Sequence, residues 1–101
     1  MNVVFDTRFQ TDLKRVARYQ PNIVYELREL IDAINELGEI PAVYNSHLLI
    51  QPRGNYTGYW ELHLQEGKFD IVVIYTHTSS RATIRFIRIG SHKDLFQGKM
   101  L

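Results

Sequence analysis

The sequence predicts an α+β domain of order β-α-α-β-β-β-β, with two N-terminal helices packed on an antiparallel sheet. Three observations carry this expectation. Apolar residues recur at helical spacing from Phe9 to Leu37, the period changes to alternation after Pro41, and turn residues divide the second half into short strands. The chain has 101 residues, 45% hydrophobic and 23% charged, which fits one core and a single domain spanning 1–101.

Residues 2–5 are β-prone and end at Asp6-Thr7, both good helix N-caps. Phe9, Leu13, Val16 and Ala17 then repeat at helical spacing, giving a first helix that closes near Tyr19. Gln20-Pro21-Asn22 breaks it, and Pro21 suits the first turn of a second helix. There Ile23, Leu27, Leu30, Ile31, Ile34 and Leu37 form one stripe, with Glu26, Glu29, Asp32 and Glu36 outside it. Gly38 ends that helix and Pro41 forbids its resumption.

Leu48-Leu49-Ile50 is a short apolar strand, followed by a loop over 51–55. Over 59–65 the chain alternates, with Trp60, Leu62 and Leu64 on one face and Tyr59, Glu61, His63 and Gln65 on the other. Glu66-Gly67-Lys68 is a turn, 69–76 a strand, 78–80 another turn, and 82–89 a strand apolar on both faces and therefore central. After Gly90-Ser91-His92, residues 93–96 have room for one helical turn.

The composition excludes several classes. With no cysteine there are no disulfides, thiolate metal sites or Cys nucleophiles. No apolar run approaches the roughly 18 residues of a membrane span, and Met1-Asn2-Val3-Val4-Phe5-Asp6 lacks a basic leader, so a cytoplasmic protein without a membrane partner is expected. Net charge is +1, but it is unevenly spread. Residues 1–50 carry five basic against seven acidic side chains, whereas from Arg81 to Lys99 five basic residues face only Asp94. The C-terminal part thus contributes a basic face.

Four histidines bring proton-transfer chemistry near neutral pH. His47 stands where the chain enters a strand, His63 on a polar strand face, His92 just after the central strand, and His77 reads as exposed turn decoration. Their separations of 16, 14 and 15 residues match no compact metal pattern, so no metal and no cofactor are expected. Imidazoles on a basic face suit metal-independent RNA cleavage: a base for the 2′-OH proton, a cation for the phosphorane charge, and an acid for the leaving 5′ oxygen.

Four segments also carry a family resemblance: Pro41-Ala42-Val43-Tyr44-Asn45-Ser46-His47-Leu48-Leu49, Gly58-Tyr59-Trp60-Glu61-Leu62-His63, Asp70-Ile71-Val72-Val73-Ile74-Tyr75, and Arg85-Phe86-Ile87-Arg88-Ile89-Gly90-Ser91-His92-Lys93-Asp94-Leu95-Phe96. In order and spacing the chain resembles the YafQ branch of the RelE superfamily. The resemblance implies a toxin of a bacterial toxin–antitoxin pair that cleaves mRNA in the ribosomal A site. It implies as partners a cognate antitoxin, the 70S ribosome with its mRNA, and operator DNA reached only through the antitoxin complex.

By that resemblance His47, His63, Asp70, Arg88, His92 and Phe96 are the functional residues. His92 and His63 would share the proton transfers with Asp70 in support, His47 would complete the acid–base set, Arg88 would hold the scissile phosphate, and Phe96 would position the nucleotide. Trp60 stands where the family typically has Arg, so Arg53 or Arg85 has to supply that cation, and Lys93 joins them as a substrate contact. Arg85 and Arg88 are three apart, so a regular strand puts them on opposite faces with only one lining the site. A ParE-like binder of DNA gyrase, on the same fold but without chemistry, has no need of three imidazoles at one place. An inactive antitoxin-binding relic is the other alternative.

Overall fold

The computed structural model describes residues 2–50, 56–65, 68–78 and 82–97. The expected loop over 51–55, which includes Arg53, lies outside the described residues, as do Glu66-Gly67 and 79–81. β1 (Asn2–Phe5) leads into α1 (Thr7–Tyr19), whose N-cap Asp6 accepts the Arg8 backbone N–H at 2.9 Å. α2 (Ile23–Leu37) starts two residues after Pro21, so that proline shapes the turn ahead of the helix and does not sit inside it. Gly38 ends α2 in the left-handed region at φ 74°, a conformation that favours glycine. A 3-10 turn (Ala42–Tyr44) brings the chain to β2 (His47–Leu48), β3 (Trp60–His63), β4 (Val72–His77), β5 (Thr83–Gly90) and a π-helical turn (Lys93–Gln97). No helix among the described residues is long and apolar enough to cross a membrane.

The five strands lie in the order β1-β5-β4-β3-β2. β2 to β5 pair antiparallel as expected, whereas β1 joins β5 in parallel and makes the sheet mixed. The reason is connectivity. A hairpin forces antiparallel pairing, but β1 reaches β5 only after two helices and three strands, so its direction is free of that constraint.

The stripes of α1 and α2 bury Phe9, Val16, Leu27, Leu30 and Ile34 against Leu62, Val73, Tyr75, Phe86 and Ile89 of the sheet. Each such aliphatic residue is worth about 1.5–3 kcal/mol of burial. On the opposite face a smaller cluster of Leu49, Tyr56, Val72, Ile74, Ile87 and Leu95 is roofed by the π-helical turn. Gly90 permits that roof, because a Cβ there would stand 3.4 Å from Leu95 Cδ2.

β5 is not regular. Ile74 pairs with Arg88 and Tyr75 with Phe86, so Ile87 is the extra residue of a β-bulge. The bulge corrects the expectation of opposite faces. Arg88 opposite Ile74 and Arg85 opposite Thr76 both belong to the face away from the helices.

Candidate active site

The period-2 alternation of β3 puts Glu61 and His63 on the helix-free face, and the β2–β3 register places His47 directly opposite Glu61. His92 arrives from the other direction, just beyond the end of β5. Three imidazoles therefore surround one carboxylate. Glu61 Oε1 lies 3.5 Å from His47 Nε2, 3.2 Å from His63 Nε2 and 3.1 Å from His92 Nε2. The Glu61 side chain is 3% exposed, while those of His47 and His92 are about half exposed, so the acid is at the bottom and the imidazoles face solvent. The His47 and His63 rings stack at 5.5 Å, and His63 and His92 are 6.0 Å apart.

Asp70 fixes His92 from the other side. Its Oδ2 accepts the His92 backbone N–H at 3.0 Å, and its Oδ1 faces Nδ1 at 2.5 Å. Both ring nitrogens of His92 thus meet carboxylates. Partial burial pulls its pKa down, but the hydrogen bonds to Asp70 and Glu61 outweigh this and raise it above the ordinary histidine value. Phe96, half-buried, stacks on the His92 ring at 5.5 Å and meets Tyr56 edge-on at 5.8 Å, closing this end of the site.

Arg88 stands two strands from Glu61 on the same row of the sheet, about 10 Å away at the usual strand spacing. Its Nε and one terminal nitrogen donate to Asp12 at 2.6 and 3.0 Å, and the other terminal nitrogen donates to the Tyr56 hydroxyl at 3.1 Å. The bonds to Asp12 raise its pKa above the ordinary arginine value despite partial burial, so it is permanently charged.

A model of the bacterial YafQ toxins of type II toxin–antitoxin systems matches residues 1–97. The chain belongs to that family. Structural relatives agree: the crystal structure of the E. coli DinJ–YafQ complex contains a chain similar to this one with a TM-score of 0.68 and 29% identity, over 94% of this chain and 97% of that one. YafQ from E. coli strain BL21(DE3) gives 0.69 and 28%, over 94% and 97%. A metal-bound toxin from Helicobacter pylori gives 0.72 at 22% identity, over 95% and 99%, and shares the fold. No curated protein matches in a sequence search. The chain is therefore a YafQ-like toxin of the RelE superfamily, on an α+β fold.

The residues expected from the YafQ resemblance divide into three groups. His47, His63 and His92 come together around Glu61, with Asp70 and Phe96 against His92. Arg88 shares their face by its register opposite Ile74, and Lys93 is exposed at the start of the π-helical turn. Arg85 is exposed on the same face but pairs Val4 of β1, near Asp6 and away from the imidazoles. His77 is corrected: half-buried, it packs at 5.5 Å from Trp60, and its register opposite Ile84 puts it on the helix side.

Three residues escaped the sequence reading. Glu61 was legible as an acid two residues before His63 on the same strand face. Asp12 was legible as an acid three residues after Phe9, inside an apolar helical stripe. Tyr56 gave no signal, because it follows a loop with no period. The sheet also assembles what linear spacing hid: His47, His63 and Glu61 each offer a ligand atom within 4.8 Å of the others, two imidazoles and a carboxylate of the kind zinc accepts. A cation there requires a lone pair on one nitrogen of each ring, which is then lost to proton transfer.

Proposed function

We propose that this toxin is a ribosome-dependent, metal-independent mRNA endonuclease that cuts in the A site and so stops translation. One observation carries the reading: three imidazole nitrogens gather at a single buried carboxylate on the face that also presents Arg88. A protein that acts by binding alone has no use for that convergence.

In the proposed reaction the substrate's own 2′-OH attacks the adjacent phosphorus. His63 or His47 takes the hydroxyl proton, Arg88 balances charge on the phosphorane oxygens, and the bond to the 5′ oxygen breaks as His92 delivers a proton to it. The products are a 2′,3′-cyclic phosphate and a 5′-hydroxyl. Asp70 and Glu61 hold His92 at both nitrogens, which favours its protonated, donating form. Phe96 offers its ring to the base, and Arg85, Lys93 and Arg53 meet neighbouring phosphates.

The partner we propose is a cognate antitoxin, as E. coli YafQ is seen in complex with DinJ, acting in the cytoplasm and reaching operator DNA only as the complex. The test is primer extension on an mRNA with and without ribosomes after induction of the free toxin. In-frame cuts that require ribosomes support the reading. Arrest of DNA synthesis before translation replaces it with a gyrase-binding toxin, and antitoxin binding without any cleavage replaces it with a relic.

A further inference from the structure

Resting on the reading that Arg88 holds the scissile phosphate, we propose that Asp12 and Tyr56 are positioning residues that aim its guanidinium. Asp12 is 3% exposed, and both its oxygens are fully used. Oδ2 accepts Arg88 Nε at 2.6 Å and the Ile89 backbone N–H at 3.2 Å, while Oδ1 accepts from Arg88 at 3.0 Å and Arg15 at 3.1 Å. The site for this carboxylate is a product of the fold. β1 pairs with β5 only as far as Phe5 opposite Phe86, which leaves the Ile89 N–H on an unpaired edge, and α1 lowers Asp12 onto that edge.

The bulge at Ile87 turns Arg88 to the imidazole face, and Asp12 grips it from the side. A guanidinium has five donors. Asp12 takes two and the Tyr56 hydroxyl takes one, so one N–H on each terminal nitrogen is left for a substrate oxygen. The side chain is 16% exposed, enough to present that end and little else. Tyr56 is fixed in turn by a tight bend, Tyr59 N–H to its carbonyl at 2.9 Å with Gly58 at φ 90°, and by Phe96 against its ring. The clamp thus links α1, the bend and the roof of the site through one cation, held where an anion arrives.

The test is single-turnover cleavage on programmed ribosomes, using mRNA that carries either an Rp or an Sp phosphorothioate at the scissile position. Wild type is expected to discriminate between the two diastereomers, because a fixed guanidinium contacts one non-bridging atom more than the other. Asp12→Asn is expected to slow the chemical step by about 10²-fold, with the half-saturating toxin concentration unchanged and the discrimination lost. Tyr56→Phe is expected to cost roughly 10-fold, the low end for a hydrogen bond made by a charged group, and to weaken the discrimination. A purely structural role lowers the melting temperature and leaves the discrimination intact in whatever remains folded. Folded variants that cleave at the wild-type rate with full discrimination overturn the proposal, and Tyr56→Phe decides alone if Asp12→Asn does not fold. A wild type that cleaves nothing refutes the reading beneath it instead.

Discussion

At the β5 edge, Asp12 meets four donors with two oxygens, two on each, and every lone pair is used. At β3, Glu61 has three imidazole nitrogens within 3.5 Å of a single oxygen. One carboxylate oxygen offers two lone pairs, so three N–H donors cannot all be satisfied there at once. The first region is a matched set built around the Asp12–Arg88 pair, and removing Arg88 strands the buried Asp12 charge. The second has more nitrogens than acceptor sites, so at least one imidazole keeps a proton or a lone pair free for exchange. Both are charged networks on one sheet face. The number of partners per oxygen decides which holds the fold and which is ready to move protons.

His92→Ala tests the exchanging region most severely. It is expected to slow the chemical step by roughly 10²–10⁴-fold, the range for a lost general acid or base, while ribosome binding, dominated by phosphate charge, stays close to wild type. A loss confined to binding would move His92 out of the chemistry.

The matched region should answer in stability. Arg88→Met leaves Asp12 buried without its main partner, at a cost of about 3–5 kcal/mol in chemical denaturation. Glu61→Gln is expected to cost about 1 kcal/mol or less in the same measurement, yet to reduce cleavage by about 10²-fold through misplaced imidazoles. Equal stability losses at the two sites would erase the distinction drawn between them.

Much of this was legible in the sequence, and the limits are physical. The helical stripes and the alternation over 59–65 placed both helices and β3, because period follows from which face is buried. The parallel pairing of β1 was not legible, since nothing in a four-residue strand encodes its direction. The meeting of His47 with His63 depends on register between β2 and β3, and a two-residue strand carries almost no register information. Arg85 and Arg88 were assigned to opposite faces because alternation assumes a regular strand, and nothing in Arg85-Phe86-Ile87-Arg88 announces a bulge. The contacts of Asp70 and Phe96 with His92 join segments far apart or beyond the last strand, and no strand period encodes them.

Metal removal sharpens the comparison further. Toxin treated with EDTA and freed of chelator by gel filtration is expected to cleave ribosome-bound mRNA at its original rate, since the proposed proton transfers need vacant ring nitrogens. Loss of activity restored by zinc would make His47, Glu61 and His63 a metal centre instead.

A modest effect is expected on pH dependence. His92 has a folded-state pKa above 6.5, so the stability it contributes is fully present below that value and is lost as pH rises through the higher folded value. The melting temperature should therefore fall modestly on the alkaline side of 6.5, and this component should shrink in Asp70→Asn, which removes one of the two carboxylates. The alkaline limb of the cleavage profile should move down in the same variant. An unchanged limb would mean that another group donates the proton.

The most direct measurement of the central claim is end-group determination on mRNA cut in single-turnover reactions on programmed ribosomes. Attack by the 2′-OH, with imidazoles moving the protons, leaves a 2′,3′-cyclic or 3′-phosphate upstream and a 5′-hydroxyl downstream, and a 2′-deoxy residue at the scissile position blocks the cut. A 3′-hydroxyl with a 5′-phosphate would show that water or hydroxide is the nucleophile, and would contradict the account.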